Sequence, residues 1–234
     1  PLMRNEEIIE RPANQHTLTK RYTQEAIGFI RRSKNKPFFL YFAHTFPHVP
    51  LFASEQFDGK SLRGLYGDVV EELDWSLGKV LQTLKDEALA ENTLVVFTSD
   101  NGPWLNKEQF GGSAGLLREG KGCTWEGGMR EPCVMWWPGK IKPGVVGDIG
   151  STMDLFTTVL NLAGAPIPTD RVIDGVDLRP VLFGTGPSLR SVMFYYRGVK
   201  LYAVRKGPYK AHFFTKPAYG RNIEETKHDP PLLY

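Results

Sequence analysis

The sequence has little cysteine, no block of like charge and no long apolar run, and each absence excludes a class of protein. Its 234 residues include only two cysteines, too few for a disulfide framework. The 29 basic and 26 acidic residues are spread along the chain and give a formal net charge of only +3, so we expect no nucleic-acid partner. No apolar run reaches the roughly eighteen residues that span a bilayer, so we expect no transmembrane segment.

The cysteines and the chain ends give three further expectations. Cys133 begins an apolar run, where a buried free thiol is the usual state, so we predict no disulfide between Cys133 and Cys123. The absence of any N-x-Ser/Thr sequon disfavours a glycosylated protein. The chain does not begin with Met and ends on an apolar triplet without a stop signal, so we expect a fragment of a longer protein.

Hydrophobic patterning predicts alternating helices and strands over most of the chain. Apolar residues recur at helical spacing in three segments, Thr17–Ser33, 64–90 and Ile149–Ala163. Continuous apolar runs predict strands that are covered on both faces, at Phe38–Ala43, Thr93–Thr98 and Cys133–Trp137. We therefore expect an α/β fold with a mainly parallel central sheet, in which the first two strands and the second helix form a βαβ unit. The acidic residues of that helix, among them Asp68 and Glu72, are expected on its solvated face.

The character of the sequence changes near the C-terminus. Three short β-prone runs are separated by Gly- and Pro-containing turns, at Val192–Tyr196, Val199–Val204 and Tyr209–Thr215. These predict a small antiparallel sheet. We place the α/β domain at residues 1–186 and the start of a C-terminal subdomain at residues 187–234.

Two oxygen-bearing side chains follow the central strand directly. Asp100 and Asn101 stand before Gly102 and Pro103, so they emerge at the carboxyl end of the Thr93–Thr98 run. Ligands gather at this end of strands in open α/β sheets, and carboxylate and amide oxygens suit Ca²⁺ or Mg²⁺. The same four residues are also a strong turn signal, so a metal site and a simple turn both remain open.

A lysine between two glycines follows about twenty residues later. Glycines let the backbone come close to a ligand, and Lys121 lies between Gly120 and Gly122. A cation of this kind beside an oxygen-ligated metal suits a doubly charged tetrahedral anion. A solvated loop lysine is the alternative.

Two histidines lie in a proline-containing loop after the first predicted strand. His44 and His48 are four residues apart, but Pro47 and Pro50 exclude the regular helix that a helical zinc motif needs. We expect a stiff loop at the carboxyl end of the strand. Each histidine could instead simply bond to the backbone.

Several sequence blocks, in this order, resemble the arylsulfatases of the alkaline-phosphatase superfamily. The blocks are PFFLYFAHTFPHVPLF, LVVFTSDNGP, LLREGKGCTWEGGMREPCVMWWPG, STMDLFTTVLNLAGAPIP with IDGVDLRPVL, and KAHFFT. The resemblance covers nearly the whole chain and implies an alkaline-phosphatase-like α/β fold. It also implies a sulfuric ester hydrolase that acts on aryl or sugar sulfates.

The resemblance assigns roles to four residues. Asp100 and Asn101 match two ligands of the family's Ca²⁺ or Mg²⁺ ion, and Lys121 matches the lysine that contacts the sulfate oxygens. His48 matches the histidine that hydrogen-bonds the sulfate and can protonate the leaving group. The resemblance assigns no role to His44.

The sequence departs from the family pattern at the nucleophile. Family members use a formylglycine made from Cys or Ser in a C/S-x-P-x-R motif, and neither Cys123 nor Cys133 stands in such a motif. We expect the formylglycine and the remaining metal ligands in an N-terminal part outside this chain, so the 234 residues alone should be inactive.

Two other functions remain open. A related enzyme of the superfamily could hydrolyse phosphodiesters or phosphonate esters, and a degenerate relative could serve as a binding module. The sequence sets neither the natural substrate nor the oligomeric state, a homo-oligomer included. Family habit favours export to a periplasm, a lysosome or the exterior.

Overall fold

The computed structural model describes residues 1–220 and 223–234, which divide into two compact units. The first unit comprises Pro1–Leu94 and Pro103–Ser113. The second comprises Val95–Gly102 and Ala114–Tyr234. The predicted domain division after residue 186 stays a prediction.

The first unit is built on two helices. A short antiparallel hairpin, β1 (Leu2–Arg4) and β2 (Glu7–Glu10), precedes helix α1 (Leu18–Ser33), and helix α2 (Gly64–Asp86) follows a long loop. The Oγ1 atom of Thr23 on α1 lies 2.6 Å from Oγ of Ser76 on α2, so a buried hydrogen bond joins the helices. The buried apolar core of this unit comprises Leu18, Phe46, Leu51, Ala53 and Val69.

The described residues of the second unit form two separate antiparallel sheets and three α-helices. Strand β3 (Val95–Thr98) pairs with β4 (Cys133–Trp136), and the short helix α3 (Glu126–Met129) lies between them in sequence. Helices α4 (Thr152–Ala163) and α5 (Arg179–Leu182) follow. The last sheet has the order β5-β6-β7-β8, with these strands at Val192–Arg197, Lys200–Lys206, Tyr209–Thr215 and Thr226–Leu233.

Capping residues define both ends of α4, which lies within the predicted segment Ile149–Ala163. The Ser151 hydroxyl accepts a hydrogen bond from the Met153 amide, and the Asp154 carboxylate accepts one from the Ser151 amide at 2.8 Å. Gly164 ends the helix at φ 69°, a left-handed conformation that glycine adopts without strain. The capping residues therefore fix both ends of this helix.

The predicted βαβ unit is wrong for this structure. Residues 38–43 lie in no strand, and Phe39 and Tyr41 are 72% and 82% exposed. Every strand pair among residues 1–220 and 223–234 is antiparallel. An apolar run becomes a strand only where a neighbour pairs with its backbone groups, and the part of the chain described supplies none for this run.

The prediction that the acidic residues of α2 are solvated is also wrong at two positions. Asp68 and Glu72 are 1% and 2% exposed. The Asp68 carboxylate accepts hydrogen bonds from the backbone amides of Gly59, Lys60 and Ser61 at 2.7–3.0 Å, and these bonds hold its pKa below the usual value against burial. The two carboxylates are buried because they bind the loop that leads into the helix.

Candidate active-site loops

The loop after β3 presents two oxygen donors. Asp100 is exposed and Asn101 is half-buried. The Asn101 Nδ2 atom donates to the Gly102 carbonyl at 3.0 Å, and the Ser99 hydroxyl donates to the Asn101 carbonyl at 3.2 Å. The first of these bonds orients the side-chain amide, whose Oδ1 atom is an acceptor. The loop is thus a turn that also offers a carboxylate and an amide oxygen, the donors preferred by Ca²⁺ and Mg²⁺.

Glu131 lies close enough to Asp100 for the two carboxylates to repel each other. Burial, and then the charge of Asp100, raise the pKa of Glu131 to about 7. Its Oε1 atom is buried and makes no hydrogen bond within the part of the chain that the structure describes. A cation bound at Asp100 would offset this concentration of negative charge. The described residues contain no group of three or more His, Cys, Asp or Glu side chains that could hold a metal ion.

The lysine loop is held by the segment that follows β7. The Lys121 carbonyl accepts a hydrogen bond from the Tyr219 amide at 2.9 Å. Gly122 has φ +91°, and a Cβ atom there would lie 2.5 Å from the Tyr219 ring. Because any side chain would collide with this ring, the loop requires glycine at position 122. The group that approaches the backbone at Gly122 is a tyrosine of the same chain, and the approach of a ligand to this loop stays a prediction.

Four glycines bring the two loops together in the second unit, and we call them the glycine cluster: Gly102, Gly120, Gly127 and Gly128. The Gly102 amide donates to the Gly128 carbonyl at 3.3 Å. A Cβ atom on Gly102 would lie 1.8 Å from the Gly127 carbonyl oxygen, and one on Gly128 would lie 2.4 Å from the Gly120 carbonyl oxygen. The backbones of the Asp100 loop, helix α3 and the Lys121 loop therefore touch directly.

His48 lies in an exposed loop of the first unit. Its Nδ1 atom is 2.7 Å from the Val49 carbonyl, and its ring centre is 5.5 Å from that of Trp104. Because a carbonyl only accepts, Nδ1 carries the proton of the neutral ring, and Nε2 is the basic nitrogen. The backbone thus sets the tautomer in which Nε2 can accept a proton as a general base.

Comparison with known protein families identifies the chain. Residues 3–165 match the family model described as sulfatase, and residues 188–234 match the model described as the C-terminal region of aryl-sulfatase. The chain belongs to the sulfatase family. Over 228 residues it is 50% identical to N-acetylgalactosamine-6-sulfatase of Canis lupus familiaris. That alignment covers 92% of this chain and 44% of the dog protein. It is 43% identical over 253 residues to human arylsulfatase A, in an alignment that covers 100% of this chain and 49% of the human protein.

A solved sulfatase structure supports the fold assignment. The crystal structure of PsFucS1 sulfatase from Pseudoalteromonas sp. superposes with a TM-score of 0.86 at 29% identity, over 97% of this chain and 48% of that one. The α/β sulfatase fold with a small antiparallel C-terminal sheet is thereby confirmed. The chain spans about half the length of the relatives it matches.

His44 has a structural position in this sulfatase chain. Burial lowers the pKa of His44 to about 4, so the ring is neutral near pH 7. Its Nε2 atom is 3.3 Å from the Ser76 hydroxyl, and its ring packs 4.3 Å from that of Phe42. These contacts place the ring against helix α2.

Both cysteines are free, as predicted, but the reason given for Cys133 is wrong. Cys123 is buried and donates its thiol to the Gly120 carbonyl at 3.1 Å. Cys133 begins β4 on a face that this structure leaves exposed.

No helix formed by the described residues combines the length and apolar character that crossing a bilayer requires.

Proposed function

We propose that the protein containing this chain hydrolyses sulfate esters, and that the chain supplies the anion-binding side of its active site. The observation that carries the proposal is the glycine cluster, which joins the loop bearing Asp100 and Asn101 to the loop bearing Lys121. A sulfate ester gathers negative charge on its oxygens as the ester bond breaks. A fixed cation beside a metal-binding loop stabilises that charge without reorganisation.

Each candidate residue has a distinct role in this proposal. Asp100 and Asn101 hold a Ca²⁺ or Mg²⁺ ion through oxygen atoms, and the ion, when bound, supplies positive charge to the sulfate oxygens. Lys121 offsets further charge on the same oxygens. His48, in its protonated imidazolium form, delivers the Nε2 proton to the oxygen of the departing alcohol and becomes the neutral ring, whose Nδ1–H still donates to the Val49 carbonyl.

The proposed nucleophile lies outside these 234 residues. No cysteine or serine of the chain stands in a C/S-x-P-x-R motif, so we propose that the formylglycine belongs to another part of the protein. The names of the relatives support sulfated sugars and aryl sulfates as the substrate class. The chain alone should then show no turnover.

Paired substrates test the proposal. The protein encoded by the complete gene should hydrolyse 4-nitrophenyl sulfate much faster than 4-nitrophenyl phosphate, and its product should be free sulfate. Faster hydrolysis of the phosphate, or of a phosphonate ester, would overturn the sulfate assignment. No turnover of either ester, with a nucleophile absent from the complete sequence, would indicate a binding module.

A further inference from the structure

Helix α3 carries a carboxylate that is held by two cations of the C-terminal sheet. The Glu126 Oε1 atom accepts from Lys210 Nζ at 2.7 Å, and its Oε2 atom accepts from Arg205 Nη1 at 2.8 Å. Lys210 also donates to the Thr124 carbonyl at 2.6 Å, and its side chain is only 7% exposed. One buried ammonium group therefore fixes both the approach to α3 and its first residue.

A ring contact reinforces the same junction. His212, two residues along β7 from Lys210, lies with its ring 4.2 Å from that of Trp125. Trp125 is the residue directly before α3 and is 7% exposed. Strand β7 therefore contacts the start of α3 through a charge pair and an aromatic pair.

The next two residues of α3 contact both candidate loops. The Gly127 amide donates to the Arg118 carbonyl at 2.8 Å, in the segment before Lys121, and the Gly128 carbonyl accepts the Gly102 amide. A helix of four residues has little stability of its own, so its place depends on its neighbours. The contacts with β7 therefore hold α3 in the position from which it binds the two loops.

We infer that Lys210 is a positioning residue for the proposed sulfate site, acting through Glu126 and α3 on the loops of Asp100 and Lys121. The inference rests on the proposed function for the chemistry, but the alignment of the loops can be measured without it. None of the contacts described above joins Lys210 directly to Asp100 or to Lys121.

The electrostatics agree with a tight pair. Burial lowers the pKa of Lys210, while Glu126 acts in the opposite direction. Burial opposes ionisation of Glu126, yet the hydrogen bond and charge of Lys210 hold its pKa below the usual value. Each charge therefore favours the ionised form of the other, and removal of Lys210 leaves Glu126 paired with Arg205 alone.

Hydrogen exchange measured on the complete protein tests the inference directly, whether or not that protein is an active sulfatase. Lys210→Met should accelerate exchange of the Gly102 and Gly127 amides about ten-fold or more, because hydrogen bonds to charged groups are lost beside them. The matched control is Lys200→Met, which removes an ion pair with Glu225 in the same sheet but not at α3. The control should leave both amides at the wild-type rate. If Lys210→Met accelerates exchange only within β6 and β7, Lys210 merely supports the sheet and the inference is wrong.

A second variant covers the case in which Lys210→Met does not fold. The double variant Lys210→Met/Glu126→Gln removes both charges, and it should still accelerate exchange at Gly102 and Gly127. Wild-type exchange at both amides in a folded double variant would overturn the inference.

The complete protein adds a kinetic test. There Lys210→Met should lower kcat for the sulfate ester about ten-fold with a smaller change in KM, since misaligned loops lose more in the transition state than in the ground state. Lys210→Arg, which keeps the charge, should recover part of kcat. Wild-type kcat in Lys210→Met would contradict the inference, whereas a complete protein that lacks sulfatase activity would contradict only the proposed function.

Discussion

The Gly102 amide bonds to the Gly128 carbonyl, and this hydrogen bond links the loop of the proposed metal ligands to helix α3. The adjacent Gly127 amide bonds to the Arg118 carbonyl, in the segment that leads to Lys121. Two consecutive glycines therefore align two loops. A side chain at either position has no space, because the neighbouring atoms are backbone oxygens.

Substitution in the glycine cluster should destabilise the second unit. In Gly127→Ala the new Cβ atom would meet the Glu119 carbonyl oxygen at 2.1 Å, so the backbone must move. We expect a loss of about 1–3 kcal/mol or more in the free energy of unfolding, measured by urea denaturation. Gly144→Ala is the control, because nothing lies within 4 Å of its Cβ position. Equal losses in the two variants would refute the close approach at Gly127.

Removal of the lysine charge should impair turnover without unfolding the protein. In the complete protein, Lys121→Ala should lower kcat about 10²–10³-fold, the usual result of deleting one preorganised group that stabilises charge. Lys142→Ala removes an exposed lysine of the same unit and should keep wild-type kcat. Equal rates in Lys121→Ala and Lys142→Ala would show that Lys121 is only a loop cation.

The proposed metal ligand has its own test. Asp100→Ala should weaken Ca²⁺ binding, because the loop loses its only carboxylate ligand and keeps the Asn101 amide oxygen. Calorimetric titration of Ca²⁺ into the metal-stripped complete protein measures the change. Asp148→Ala, also in the second unit but bonded to the Ser188 amide, should bind Ca²⁺ as the wild type does. Unaltered affinity in Asp100→Ala would support the simple turn.

The stability of the second unit should fall in acid partly because of His212. Burial, and next the charge of Lys210, lower the pKa of His212 to about 4 in the folded chain, against about 6.5 when unfolded. The unfolded chain therefore binds more protons between these two values, and stability is lost as pH falls from 6.5 toward 4. His212→Phe should reduce the loss between pH 7.5 and pH 5 by at most about 2 kcal/mol.

Urea unfolding at the two pH values measures this difference. Phe213→Leu, which changes a neighbouring side chain of β7 without a titratable group, should retain the wild-type pH dependence. If His212→Phe also retains it, His212 is not the source of the acid sensitivity.

Patterns within short segments predict much of this fold. The apolar periodicity predicts α1, α2 and α4 with bounds close to the observed ones. The Gly-containing turns predict the hairpins of β5, β6 and β7. These features depend on neighbours in sequence, so the sequence alone specifies them.

Features that depend on distant partners are harder to predict. The run Phe38–Ala43 has the composition of a strand, but strand formation needs a pairing partner that composition does not reveal. Asp68 appears solvated by residue type, and only the fold shows the three amides that surround it. Strand β8 escapes prediction because its Asp229-Pro230-Pro231 segment is typical of a turn.

The candidate site shows the same division. Its chemical groups are evident in the sequence, since Asp100, Asn101 and Lys121 stand beside turn residues. The glycines that align them are not evident, because Gly127 and Gly128 carry no reactive group. The paired glycines within the EGG block are the signal that could have indicated a close backbone contact.

The position of Lys210 in the sequence bears on the order of folding. The contacts of the glycine cluster close short loops within the stretch from Gly102 to Gly128, whereas Lys210 lies 84 positions beyond Glu126. Closing a long loop costs more chain entropy and is slower than closing a short one. We therefore expect the loops of Asp100 and Lys121 to contact each other early in folding. They become rigid only after strand β7 has packed against α3 and Lys210 has bound Glu126.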